Sequence, residues 1–189
     1  MKRFLLIGKS GVGKSSFVNA AFGLQLARWS RFEPCTKVVE TYARSTEYGD
    51  VCLIDTPGFA EDGREVDLRY LELVKKELSR NSVDAILYVS RLDDKRFRGE
   101  DKSFIRLLSE KLGGAIWGSA WLIFTFCAEI SPASLDETAK KRTEEIVEYL
   151  KSLPSNRAFK GFHRNIMIDN IKENWYPGAP VITQTLGCG

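Results

Sequence analysis

The sequence predicts a three-layer α/β sandwich: a mostly parallel central sheet with one antiparallel strand, and helices on both faces. Three observations carry this expectation. Short β-rich runs alternate with stretches of helical period, and such alternation implies crossover units. A glycine-rich loop ending in Lys14-Ser15 stands between the first β run and the first helical stretch. The chain has 189 residues, enough to bury one core without a metal or disulfide staple.

Each element has its own signal. Phe4–Ile7 is an apolar run and reads as the first strand. Ser15–Phe22 reads as a helix stopped by Gly23. In Lys37–Glu47, Val39, Thr41 and Ala43 alternate with Glu40, Tyr42 and Arg44, the period of a half-exposed strand. Tyr48-Gly49-Asp50 then turns the chain into Val51–Asp55, which makes this pair the antiparallel exception. Glu65–Leu78 carries Val66, Tyr70, Val74 and Leu78 at helical spacing. Ala85–Ser90 is a buried strand, and Glu100–Leu112 is a helix stopped by Gly113-Gly114.

Trp121–Phe126 is the next strand. The helix after it opens on a capping box, Ser134 with Glu137, and sets Leu135, Ala139, Ile146, Leu150 and Leu153 on one face before Pro154. Asn165–Ile168 is the last clear strand. The tail beyond it shows no convincing final helix, although this type of fold normally closes with one. The expectation is a single domain over residues 1–189, with truncation at the C-terminus left open.

Composition narrows the function. Apolar residues are 43% and charged residues 28%, which excludes disorder and fibrous repeats. A net charge of +3 is too weak to argue for nucleic acid or an anionic membrane. Cys35, Cys52, Cys127 and Cys188 are scattered, with no Cys-x-x-Cys, so zinc-ribbon and thioredoxin readings fail. His163 is the only histidine, which excludes a histidine-rich metal site and reads as a surface or half-buried residue near a strand start. The most apolar long stretch, Ala115–Ala128, is too short for a membrane span. The sequence therefore predicts no nucleic-acid partner and no membrane span in this chain.

Gly8-Lys9-Ser10-Gly11-Val12-Gly13-Lys14-Ser15 matches the phosphate-binding loop G-x-x-x-x-G-K-[ST] in the strand–loop–helix setting that confirms it. The glycines let successive backbone N–H groups turn inward toward phosphate oxygens. The helix starting near Lys14 adds its positive dipole end. Gly11, Val12, Gly13, Lys14, Ser15 and Ser16 form the expected phosphate site. Lys14 places a point charge on the β- and γ-phosphates, and Ser15 ligates Mg2+. Lys9 and Ser10 read as fillers. The fold expectation thereby sharpens to a P-loop NTPase.

Asp55-Thr56-Pro57-Gly58 follows an apolar strand at the distance of a second phosphate element. Asp55 would hold the Mg2+ shell, and Gly58 would offer its N–H to the γ-phosphate. Phe59 stands where Ras-type enzymes carry the glutamine that orients water, so either intrinsic hydrolysis is slow or a water is positioned from elsewhere. Thr36 is the candidate switch threonine, a metal ligand and γ-phosphate sensor, against the alternative of a loop residue starting a strand. For the base, Thr125 stands at the end of the fifth strand. No Asn-Lys-x-Asp follows it, so spacing alone favours guanine over adenine without settling the choice.

Val83-Asp84-Ala85-Ile86-Leu87-Tyr88-Val89-Ser90-Arg91-Leu92-Asp93-Asp94-Lys95-Arg96 resembles a stretch of the GTPase receptors of the chloroplast outer envelope, the Toc family. Asp101-Lys102, Gly114-Ala115-Ile116-Trp117 and Ser131-Pro132 continue the likeness, as do Val18-Asn19 and Phe22-Gly23. It covers about residues 3–170. Immunity-associated (GIMAP-like) GTPases and septins share the loop but match the Arg-Leu-Asp segment less well.

The resemblance implies a GTPase binding GTP or GDP with Mg2+. It places the base against Thr125-Phe126, where the family has Thr-His, and against Asp169-Asn170. Asp169 would accept the guanine N1 and N2 protons, and Phe126 would stack on the ring. The resemblance also implies a homodimer, or pairing with a related GTPase, across the nucleotide face. Arg96 matches the arginine that reaches the partner's nucleotide; the plain alternative is a solvated basic loop. The task it implies is recognition of preprotein transit peptides on the cytosolic side of the chloroplast outer envelope, through an anchor absent from this chain. Rival readings are a cytoplasmic GIMAP- or septin-like GTPase unconnected with plastids, an NTPase using ATP, and a nucleotide-holding interaction module without turnover.

Overall fold

The computed structural model describes residues 1–27, 38–59, 64–80, 83–94, 96–97, 99–168 and 175–187. Six strands form one sheet in the order β2-β3-β1-β4-β5-β6. They are β1 (Lys2–Ile7), β2 (Glu40–Thr46), β3 (Gly49–Asp55), β4 (Ala85–Arg91), β5 (Trp121–Thr125) and β6 (Asn165–Met167). All neighbours pair in parallel except β2 with β3, whose hairpin runs antiparallel from Glu40↔Asp55 to Thr46↔Gly49.

Among the described residues, five α-helices cover the sheet: α1 (Lys14–Phe22), α2 (Arg64–Arg80), α3 (Gly99–Leu112), α4 (Leu135–Ser152) and α5 (Trp175–Gly187). Successive strand residues point to opposite faces, and both faces of the central strands are buried. Leu5, Ile7, Ile86, Tyr88, Leu122 and Phe124 pack with α2, α3 and α4. Phe4, Leu6, Ala85, Leu87, Trp121 and Ile123 pack with α1 and α5. Burial on both faces explains why these strands read as continuous apolar runs. A fully buried side chain such as Phe17 or Phe124 contributes about 1.5–3 kcal/mol.

Two expectations give way. A closing helix does exist: α5 lays Ile182 and Leu186, both buried, against the α1 face. Pro177, Gly178 and Pro180, followed by β-branched residues, hide it from propensity, and tertiary packing overrides them. The capping box of α4 does not form. Ser134 turns its hydroxyl to Ser131, 2.7 Å from that Oγ, and makes no cap bond. The strand expected over 37–47 begins at Glu40 and ends at Thr46, and Lys37 lies outside the described residues.

The topology positions the site. The chain leaves β1 toward β3 and leaves β4 toward β5, so these neighbouring strands part in opposite directions. Ligands of open α/β sheets bind beyond the carboxyl ends of such a pair. Residues 8–15 follow β1 there, and residues 92–94 follow β4.

Candidate functional site

The phosphate loop is wired before any ligand is considered. Gly13 is the N-cap of α1 at φ 91°, left-handed backbone that a side chain would strain. Lys14 is 6% exposed, and its Nζ donates to the Gly8 carbonyl at 3.2 Å and the Lys9 carbonyl at 3.0 Å. The ammonium is thus drawn back across the loop that precedes it. Val12 is buried among the α1 residues, and Ser16 is buried too.

The second phosphate element lies on this loop. Ser10 N donates to the Phe59 carbonyl at 3.0 Å, and Lys9 and Phe59 form a parallel bridge. Contact is so close at Gly58 that a Cβ there would stand 2.4 Å from Ser10 Cα. Thr56 donates its hydroxyl to the Leu6 carbonyl at 2.7 Å. Phe59 is buried against Tyr70 of α2 and Phe104 of α3, with ring centroids at 5.8 and 4.7 Å. Its ring is a core anchor. Desolvation raises the pKa of the buried Tyr70 beyond its ordinary value, so this phenol stays neutral.

Ser15 and Asp55 meet. The Ser15 hydroxyl donates to Asp55 Oδ2 at 2.7 Å, and Asp55 is fully buried at the end of β3. Hydroxyl and carboxylate together are hard oxygen donors of the kind Mg2+ takes. Among the described residues, no group of three or more His, Cys, Asp or Glu could hold a metal. Mg2+ keeps several waters and binds through one or two protein oxygens plus phosphates.

The base side is built differently. Thr125 is fully buried, and its hydroxyl donates to the Val12 carbonyl at 2.6 Å. It fastens the end of β5 to the phosphate loop. Phe126 follows in the left-handed region at φ 57°, the only described non-glycine residue with positive φ. Such a conformation costs about 1–2 kcal/mol and concentrates at functional sites. The half-exposed ring carries the Arg91 guanidinium over one face, 3.8 Å from the centroid.

Arg91 is held in turn. Its Nε donates to Asp93 Oδ1 at 2.9 Å and its Nη2 to Oδ2 at 2.5 Å, a fork-to-fork pair that raises the guanidinium pKa further. Arg142 of α4, itself buried, donates to the carbonyls of Arg91, at 3.2 Å, and Asp94. Leu92 N donates to the Thr125 carbonyl at 3.0 Å, joining this loop to the end of β5.

Of the sequence-derived site residues, the structure unites Gly11 to Ser16 with Asp55 and Gly58, and links Thr125 to them. Arg96 is exposed in the loop between β4 and α3, apart from these contacts. Thr36, Asp169 and Asn170 lie outside the described residues. Cys127 N donates to the Ile168 carbonyl at 3.3 Å, so Phe126 borders the strand end from which Asp169 follows. Sequence reasoning passed over Arg91, although Arg-x-Asp at a strand exit signals a fixed guanidinium. It also passed over Lys9, whose Nζ pairs with Asp101 at 3.0 Å and Glu100 at 3.4 Å at the start of α3.

Known proteins resemble this chain in sequence and in fold. A GTP-binding protein A of Dictyostelium discoideum is 34% identical over 131 residues, 69% of this chain and 29% of that protein. Translocase of chloroplast 33 of Arabidopsis thaliana is 34% identical over 151 residues, 78% of this chain and 50% of that protein. The chain thus spans half or less of the length of these relatives. The structure of Arabidopsis thaliana Toc33 in complex with Mg2+ and GMPPNP superposes with a TM-score of 0.78 at 27% identity, covering 98% of this chain and 82% of that one. A structure from work on the chloroplast translocon components atToc33 and psToc159, where dimerization is important for GTPase activity, gives 0.79 at 25% identity, with 98% and 82% covered. The model of the AIG1 family matches residues 2–171. A match over nearly the whole length, on a P-loop sheet of this topology, establishes that the chain belongs to the AIG1 family.

Proposed function

We propose that this chain is a nucleotide-gated switch that binds GTP or GDP with Mg2+, hydrolyses GTP slowly and pairs with a second GTPase across its nucleotide face. The observation that carries the reading is the Ser15–Asp55 contact at 2.7 Å beside Lys14, at the switch point of the sheet. Lys14 neutralises charge on the β- and γ-phosphates, and the inward amides of Gly11 to Ser15 cradle them. Ser15, Asp55 and Thr36 would hold Mg2+, which when bound offsets charge developing on the phosphate oxygens. Gly58 offers its N–H to the γ-phosphate from a loop pressed on Ser10. Phe126 seats the base on the strand end that Thr125 fastens to the phosphate loop, and Asp169 with Asn170 selects guanine. With Phe59 sealed in the core, no side chain at that position orients water, which supports a low intrinsic rate.

Loss of the γ-phosphate releases the segments around Thr36 and Gly58, so the output is a changed surface. Arg96, exposed between β4 and α3, would reach the partner. The chloroplast translocase relatives support a receptor for preprotein transit peptides facing the cytosol at the chloroplast outer envelope. A second reading, an AIG1-type GTPase unconnected with plastids, is favoured by the Dictyostelium relative at the same 34% identity. No helix among the described residues is long and apolar enough to cross a membrane.

Titrating GTP against ATP with the purified chain, while following phosphate release, tests the proposal. GTP should bind at least tenfold tighter; equal affinities would remove the guanine assignment, and no release above buffer would leave a binding module. Arg96→Ala should weaken dimerisation in sedimentation while nucleotide affinity stays nearly unchanged.

A further inference from the structure

A phenyl ring has two faces, and the Arg91 guanidinium occupies one face of Phe126 at 3.8 Å. The cation is not a loose surface charge. Asp93 grips it through two hydrogen bonds, and buried Arg142 fixes the backbone carbonyls of Arg91 and Asp94. Leu92 is bonded to the Thr125 carbonyl, immediately before Phe126. The ring is therefore pinned from three sides: by its left-handed backbone, by the cation on its face and by the β4 exit bonded beside it.

We infer that Arg91 is a positioning residue for the nucleotide base: clamped by Asp93, it holds the Phe126 ring as a preformed stacking platform whose other face receives the purine. The inference rests on the proposed nucleotide site and adds a residue which that site does not contain. The physical reason is preorganisation. A half-exposed phenyl ring loses rotamer freedom when a base stacks on it, and a ring already held loses less. The cation also polarises the ring it covers. Stacking tolerates any base, because every base has a π face. Arg91 thus acts on affinity for purine nucleotides in general, while the carboxylate at Asp169 discriminates among them.

The test is a double-mutant cycle of Arg91→Met and Phe126→Leu, read by calorimetry with Mg2+ and GDP, inosine diphosphate or inorganic tripolyphosphate. Arg91→Met should weaken GDP and inosine diphosphate alike, by about threefold to fivefold, and leave tripolyphosphate unchanged. Phe126→Leu should weaken both nucleotides by about tenfold, with the double variant no weaker than Phe126→Leu alone. Additive losses, or equal losses for tripolyphosphate, would mean that Arg91 does not act through the ring. Tighter binding by Arg91→Met would place the cation on the face the base needs, which also overturns the inference. If the parent chain binds GDP no better than tripolyphosphate, the underlying nucleotide site fails instead.

Discussion

The two ends of the proposed nucleotide site are made of different material. The phosphate end is backbone: the loop of residues 8–15 meets the loop of residues 56–59 through main-chain bonds and a contact that only glycine allows. The base end is side chain: a hydroxyl, a phenyl ring and a clamped guanidinium at the exits of β5 and β4. Backbone geometry admits few sequences, so the phosphate end keeps a recognisable pattern. Side chains can be exchanged while the platform persists, so the base end departs from Asn-Lys-x-Asp without losing a place for a ring.

The largest effect should come from the phosphate end. Lys14→Ala removes the buried ammonium drawn across the loop, and GTP binding measured by calorimetry should fall at least about a hundredfold. Retention of near-wild-type affinity would break the account of that end. Gly58→Ala should come next, since the new methyl meets the Ser10 backbone, which has little room to yield. Overpacking of this kind costs about 2 kcal/mol, or roughly 5 °C in Tm by differential scanning calorimetry. An unchanged Tm would show that the two loops are not locked together.

The smallest of the three effects sits at the joint between the two ends. Thr125→Val keeps the shape and deletes the bond to the Val12 carbonyl, at a cost of about 1 kcal/mol. It should weaken GDP and inorganic tripolyphosphate by similar factors, because it loosens the loop. Loss confined to GDP would make Thr125 a base contact rather than a fastener.

The same contrast explains what the sequence made legible. The alternation of strands and helices, the hairpin exception and the glycine-lysine loop follow from period, glycine placement and charge, all local signals. The α5 helix was hidden because Pro177, Gly178 and Pro180 argue against it, and only its packing on α1 rescues it. Ser134 was misjudged because a hydroxyl at a helix start has several acceptors, and Ser131 took it. Lys9 looked like filler because its acidic partners lie at the start of α3, far along the chain. The clamp of Arg91 on Phe126 joins the ends of β4 and β5, and no single window of sequence spans both.

Phe59 carries a last consequence. Its ring lies in the aromatic cluster with Tyr70 and Phe104, one residue from the glycine proposed to feel the terminal phosphate. Displacing that glycine far would drag a phenyl group into water, at a cost of about 1.5–3 kcal/mol. The loop is thus hinged on a greasy pivot. Any stroke it makes is either short, or it takes the second and third helices along as one lever.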